Sequence, residues 1–249
     1  MRIRYGSQSD RGRIRSSNED SFIADIANRL FLVADGMGGH NAGEVASKIA
    51  AETMQEVVAL QRGSESLDLI LRIAVDEANF RIYAAQSREA ELSGMGTTLT
   101  VLCFDDQTYW LAHVGDSRAY RLRNDVLDQL SRDHSLVWPL YENGMLRKED
   151  ISSHPQKNLI TRSVGPHAQV EMDLTVGEAL EGDVFLLCSD GLTDVLSDSK
   201  IQAILSDAHK TPQQLGRILV NAANRGGGPD NITVVVVRLE ADQAEEAEQ

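Results

Sequence analysis

Cysteine is nearly absent from this 249-residue chain: Cys103 and Cys188 are the only two, each inside an apolar run ("TVLCF", "FLLCS"). That rules out a disulfide framework and a Cys/His metal site, and it predicts two small buried hydrophobes. Long hydrophobic runs are missing as well. The longest unbroken aliphatic stretch, Val234 to Val237, is far too short to span a bilayer, and the opening "MRIRYGSQSD" has no apolar targeting segment. A soluble cytoplasmic protein with no membrane partner is the expectation. Positive charge is the third deficit, with 24 Lys and Arg against 38 Asp and Glu, a net charge of −14. Nucleic acid is therefore not the expected partner, because binding it needs a basic footprint. Divalent cations are natural counter-ions for such a chain, although solubility alone accounts for the same acidity.

What is present can build a core: 42% of the residues are apolar, and no break in composition divides the chain. One domain over residues 1–240 is expected, as a monomer, followed by a solvated, disordered acidic tail at 241–249. Short runs rich in branched and aromatic residues read as strands: "SFIADI", "RLFLVAD", "TTLTVLCF", "TYWLAHVGD", "RAYRLR", "DVFLLCSD" and "NITVVVVRL". Brief polar links such as "FDDQTYW" and "GDSRAYRLRNDVL" read as hairpins, hence antiparallel pairing. Apolar positions recur at helical spacing over residues 41–60 and 66–86, and two shorter helices fit 198–206 and 212–223. Asn41 with Glu44 resembles a capping box. The pattern predicts an α+β fold, a four-layer αββα sandwich of two mainly antiparallel sheets flanked by antiparallel helix pairs. Residues 131–167 are polar and weakly periodic, with Trp138-Pro139 interrupting any long helix, and read as a surface flap.

The chemistry is carried by carboxylates at strand ends, rigid places from which an acidic side chain can be aimed. Asp35 closes "LFLVAD", Asp116 closes "WLAHVGD", Asp190 closes "VFLLCSD", Asp230 opens "DNITVVVV", and Glu19 and Asp20 open "EDSFIADI". Each alone is a turn signal. Together on one rim, so many like charges are tolerable only around a cation. Oxygen ligands without cysteine or paired histidine select a hard ion, Mg²⁺ or Mn²⁺. Two such ions about 3.5–4 Å apart activate a water for in-line displacement at phosphorus.

Other readings attach to the same motifs. "VADGMGGHNAGEVA" is a tight turn, a phosphate cradle at a helix start, or a piece of metal site. Asn41 breaks the dinucleotide fingerprint, and no P-loop Gly-Lys-Ser/Thr occurs. "HVGDSRA" offers Ser117 as a nucleophile, but Ala119 stands where the nucleophile elbow needs glycine. His40 also reads as a loop histidine at a helix start, and a catalytically dead binding module remains a further class.

The stretches "RSSNEDSF", "VADGMGGHNAGE", "GMGTTLT", "HVGDSRAY", "LLCSDGLTD" and "GGGPDNITVVVV" occur in this order and span nearly the whole chain. In this the sequence resembles the protein phosphatase 2C (PP2C, PPM) family in its compact bacterial form. The resemblance implies a metal-dependent hydrolase of phosphoserine and phosphothreonine in proteins, acting through a metal-bridged hydroxide. It implies that Asp35 bridges two core Mn²⁺ or Mg²⁺ ions, that Gly36 lends its carbonyl, and that Asp190 and Asp230 complete the ligand set. Glu19 and Asp20 correspond to an acidic pair acting through bound water, and Asp116 with Asp190 to a third ion site. Arg15, among neighbours Arg11 and Arg13, corresponds to the arginine that grips phosphate. His40 corresponds to the general acid, for which an ordinary pKa near 6.5 is suitable. Lys157 and Arg162 in the flap are candidate contacts for a negatively charged phosphopeptide. A bacterial Ser/Thr kinase and its phosphorylated targets are the partners implied.

Overall fold

The computed structural model describes residues 1–39, 42–151 and 154–241. Its elements run β1 (Arg2–Asp10), β2 (Asp20–Asp25), β3 (Leu30–Met37), α1 (Ala42–Gln61), α2 (Leu67–Arg88), β4 (Gly96–Thr97), β5 (Leu99–Asp105), β6 (Thr108–Val114), β7 (Arg118–Arg123) and β8 (Val126–Gln129). There follow α3 (Trp138–Glu142), α4 (Lys148–Ile151), β9 (Asp173–Glu178), β10 (Val184–Cys188), α5 (Asp190–Thr193), α6 (Asp198–Leu205), α7 (Pro212–Arg225) and β11 (Ile232–Glu240). One sheet has the order β1-β11-β10-β7-β8, the other β2-β3-β5-β6-β9 with β4 added to β3, and the pairings are antiparallel.

The central strands are apolar on both faces because each is sandwiched. In β11, Val234 and Val236 pack toward α6 and α7, while Val235, Val237 and Leu239 pack between the sheets. In β3, Leu30, Leu32 and Ala34 face α1 and α2, and Phe31 and Val33 face the other sheet. Phe104 meets Phe31 and Phe185 edge-on across this inner layer, with ring centroids 6.1 and 5.3 Å apart. The layers are thus helices, sheet, sheet, helices, as the sequence pattern predicts. Both cysteines are buried here, and burial pushes each thiol up to about 12.

The predicted hairpins form. Asp106 and Gln107 connect β5 to β6, and Asn124 and Asp125, both at positive φ, connect β7 to β8. Helix α7 starts at a capping box in which Thr211 and Gln214 satisfy each other's backbone, with Pro212 in the first turn. Strands β1, β8 and β9 were not expected as separate strands. Each lies at or beside a sheet edge with a largely polar pattern, which weakens the alternation signal.

The 131–167 segment, expected as a surface flap, carries an apolar cluster that its weak periodicity did not announce. Val137, Trp138 and Ile151 are buried and pack with Tyr141 and Leu146 as a small core of their own. A bridge from Thr97 to Val164 holds its base against the body, and one from Ser135 to Ile160 ties its two ends to each other. Pro139 starts the short α3 instead of breaking a longer helix. Residues 242–249, most of the predicted acidic tail, lie outside the described residues.

Candidate metal centre

The carboxylates singled out in the sequence converge from both sheets. Asp20 opens β2, Asp35 lies near the end of β3, and the antiparallel register makes them direct partners. Asp116 sits in the turn from β6 to β7, Asp190 begins α5 directly after β10, and Asp230 shortly precedes β11. The backbone of Asp35 is locked: its N–H donates to Thr98 Oγ1 at 2.9 Å, and its carbonyl accepts from Thr98 N–H and the Thr97 hydroxyl, each at 2.9 Å. Ser189 stitches the two sheets together at this rim. Its hydroxyl donates to Asp20 Oδ2 at 2.8 Å and accepts from Thr233 N–H at 2.9 Å.

Two glycines permit the backbone approaches that the rim requires. A Cβ on Gly36 would overlap the Gly43 carbonyl at the start of α1, and one on Gly191 would overlap the Asn231 carbonyl. Asn231 in turn gathers the loop that carries Arg15 and Glu19. Its Oδ1 accepts from Glu19 N–H at 2.8 Å, and its Nδ2 donates to the carbonyls of Arg11 and Ser17 at 3.0 and 2.9 Å. Ser189, Asn231 and Thr98 were not read from the sequence as part of the site. Ser189 and Asn231 each stand directly beside a candidate aspartate, Asp190 and Asp230, whereas Thr98 has no such neighbour in sequence.

The electrostatics are those of crowded, desolvated acids. Burial, then the charges of Asp20, Asp190, Asp116 and Asp230, hold the Asp35 carboxyl well above the usual range. Burial, then Asp116 and its neighbours, does the same to Asp190. Burial raises Asp20 to about 6 against hydrogen bonds from Thr233 and Ser189 that favour its charge. Asp116 rises to about 7 through burial and the nearby Asp133, and Glu19 is raised chiefly by burial while Arg15 opposes. Asp20 Oδ1 and Asp190 Oδ1 are buried without a hydrogen-bond partner among the described residues. Buried acceptors that lack donors, on acids that repel one another, fit a hard cation. Among the described residues, no group of three or more His, Cys, Asp or Glu side chains meets metal-holding geometry by itself.

Arg15 reaches this rim. Its Nη2 donates to Asp230 Oδ2 at 2.7 Å while the side chain stays half exposed, and this hydrogen bond leads the effects that stabilise its cation. Arg11 instead donates to the Ser16 carbonyl. Lys157 lines a cavity beside Asp116 and Asp190, but its ammonium is paired with Asp194 at 2.6 Å. Arg162 binds Asp173, the first residue of β9, at 3.0 Å and Glu171 just before it at 3.5 Å, and it is not among the residues lining that cavity. The carboxylates following the flap in sequence capture it. His40, and Asn41 of the predicted capping box, lie outside the described residues. Ser117 is fully buried, with its hydroxyl 2.8 Å from Thr98 Oγ1, which removes it as an accessible nucleophile.

Comparison with known proteins gives the same assignment. The protein phosphatase 2C family model matches residues 13–219, and the chain belongs to that family. It is 43% identical over 240 residues to the serine/threonine protein phosphatase PstP of Mycobacterium tuberculosis, covering 94% of this chain and 44% of that protein. The chain thus spans less than half the length of that relative. It is 40% identical over 243 residues to the serine/threonine phosphatase stp of Listeria monocytogenes, covering 95% of this chain and 96% of that one. The crystal structure of the PstP catalytic domain in complex with two manganese ions superposes with a TM-score of 0.87 at 41% identity, covering 96% of this chain and 99% of that chain.

Proposed function

We propose that the protein is a metal-dependent phosphatase that hydrolyses phosphoserine and phosphothreonine in proteins, reversing the action of a bacterial Ser/Thr kinase on itself and its targets. The observation that carries this is the shared rim: five aspartates from the ends of strands in both sheets, two with buried oxygens that lack a donor. The family, and relatives named as Ser/Thr phosphatases, support the same reading.

Asp35, Asp190 and Asp230 are the side chains to hold two Mn²⁺ or Mg²⁺ ions, with the Gly36 carbonyl, and with Glu19 and Asp20 acting through water; Asp116 with Asp190 is the candidate pair for a third. When bound, such ions supply a nucleophilic water at neutral pH and neutralise charge on a phosphoryl group. The chain's own contribution is positioning. Arg15, held at the rim by Asp230, presents a planar fork suited to phosphate oxygens. Ser189 holds the Asp20 carboxylate by a hydrogen bond, and Thr98 fixes the backbone of Asp35. His40 is the candidate donor of the proton taken up by the leaving serine or threonine oxygen.

The test is hydrolysis of a phosphothreonine peptide with Mn²⁺, with EDTA, and with a serine-directed reagent. Turnover should need the metal and ignore the reagent. Activity that survived EDTA would overturn the metal-dependent reading, and absence of turnover under any metal would favour a binding module.

A further inference from the structure

A cavity of about 520 Å³ opens beside Asp116 and Asp190, lined by residues of 133–151 and 157–158 and by residues 193–199. Its walls suit a long cationic side chain. Val137, Ile151, Val195 and Leu196 are among its lining residues and offer apolar surface to an alkyl stem. Its lining holds more carboxylates than cations: besides Asp116 and Asp190, Asp133, Glu149, Asp194 and Asp198 line it together with Arg118 and Lys157, and Asp198 accepts from the Tyr120 hydroxyl. Arg118 is already committed, gripping Asp133 through Nε and Nη2 at 3.0 and 2.6 Å.

Two observations go beyond charge. Ser135, only 3% exposed, lines the cavity with a hydroxyl that has no hydrogen-bond partner among the described residues. A buried hydroxyl of this kind calls for a polar guest. The second is Lys157, which reaches over from the flap to Asp194 at 2.6 Å with both side chains about a quarter exposed. The chain's own ammonium thus already occupies one carboxylate of the cavity, and it sits close enough to solvent to leave. Exchanging one cation for another at Asp194 leaves no charge buried alone, the outcome that makes broken ion pairs costly.

We propose that this cavity is a substrate subsite that takes a lysine or arginine side chain flanking the phosphorylated residue, with Asp194 as its charge partner once Lys157 is displaced. The proposal rests on the phosphatase reading, since Asp116 and Asp190 are common to the cavity and the candidate metal rim. An acidic flanking residue would meet the excess of carboxylates and be rejected.

The experiment compares phosphothreonine peptides that differ only in carrying Arg, Ala or Glu at each position near the phosphoresidue, with Mn²⁺ and the full chain. At the best position kcat/KM should favour Arg over Ala by about two- to fivefold, the size of a partly exposed charge pair. Asp194→Asn, which keeps the side-chain shape, should bring that ratio close to one. Lys157→Gln, which releases Asp194, should raise it. Equal rates for Arg and Ala peptides at every position, or an unchanged ratio in Asp194→Asn, would overturn the subsite. Metal-dependent hydrolysis of the Ala peptide tests the phosphatase reading separately: if it proceeds without any Arg preference, the subsite alone fails, and if no peptide is hydrolysed, both fail.

Discussion

Asp20 and Asp35 are register partners across β2 and β3, so two carboxylates of the candidate metal site belong to a single cross-strand pair. Like charges placed opposite each other weaken a sheet, and here burial deepens the cost for both. The metal-free protein therefore carries a local instability that a bound cation would relieve. Asp35→Asn should stabilise the EDTA-treated protein by about 1–3 kcal/mol, the range for relieving an unsatisfied buried polar or charged group. The same change should abolish turnover and remove the rise in Tm that Mn²⁺ gives the wild type. Thermal unfolding with Mn²⁺ and with EDTA measures both, and near-native turnover in the variant would remove Asp35 from the ligand set.

The pH dependence of the metal-free protein follows from the same groups. Asp20 and Asp116 are raised from an ordinary value near 3.8 to about 6 and about 7. A carboxyl whose folded pKa is raised contributes stability that is present below the unfolded pKa and is lost as pH climbs through the folded one. Stability in EDTA should thus fall between about pH 4 and pH 7, each of the two carboxyls contributing a slope of up to about 1.4 kcal/mol per pH unit. His113 opposes this trend. Buried between Thr100 and the Arg132 carbonyl, it is lowered from 6.5 to about 3, chiefly by burial. Its stabilising contribution is present above pH 6.5 and drains away as pH falls toward 3. Urea midpoints in EDTA should therefore rise more steeply on acidification in His113→Gln than in the wild type. Parallel curves would show that the pKa of His113 does not differ between the folded and unfolded states.

Arg15 tests the phosphate grip. Its guanidinium is half exposed and makes one strong contact, to Asp230, so truncation leaves the core intact. Arg15→Ala should lower kcat/KM for a phosphothreonine peptide by about 10- to 100-fold, the size of a charge-assisted hydrogen bond. Arg15→Lys should recover only part of this, because an ammonium lacks the fork. An unchanged kcat/KM in the alanine variant would return the role to another cation.

His40 is separable through the leaving group. A general acid matters for a serine or threonine alkoxide and little for nitrophenolate, which departs unprotonated. His40→Gln should slow phosphothreonine peptide hydrolysis by about 10²–10⁴-fold while affecting p-nitrophenyl phosphate far less. Equal losses on both substrates would argue for a role in binding and not in proton transfer.

Much of the architecture is legible in the chain itself. The continuous runs of β10 and β11 and the helical spacing of α1, α2, α6 and α7 announce sandwiched strands and covering helices, because burial on both faces writes itself into local composition. The edge-region strands β1, β8 and β9 leave no such mark, since strands with exposed faces need no apolar pattern. The position of each candidate aspartate at a strand end is also local information.

What tertiary structure alone decided is which ends meet and what each side chain then touches. Arg15 and Asp230 are neighbours only because the chain ends share the sheet edge where β1 pairs with β11 and the loop after β1 is tied down by Asn231. Ser189 reaches Asp20 only because two sheets stack with their ends in step. Lys157 and Arg162, five residues apart in one polar segment, part ways to Asp194 and Asp173. Hydrophobic periodicity records how deeply a residue is buried and on which face. It carries no record of strand order or of which distant carboxylate will claim a given cation, and those contacts form only when the sheets close on each other.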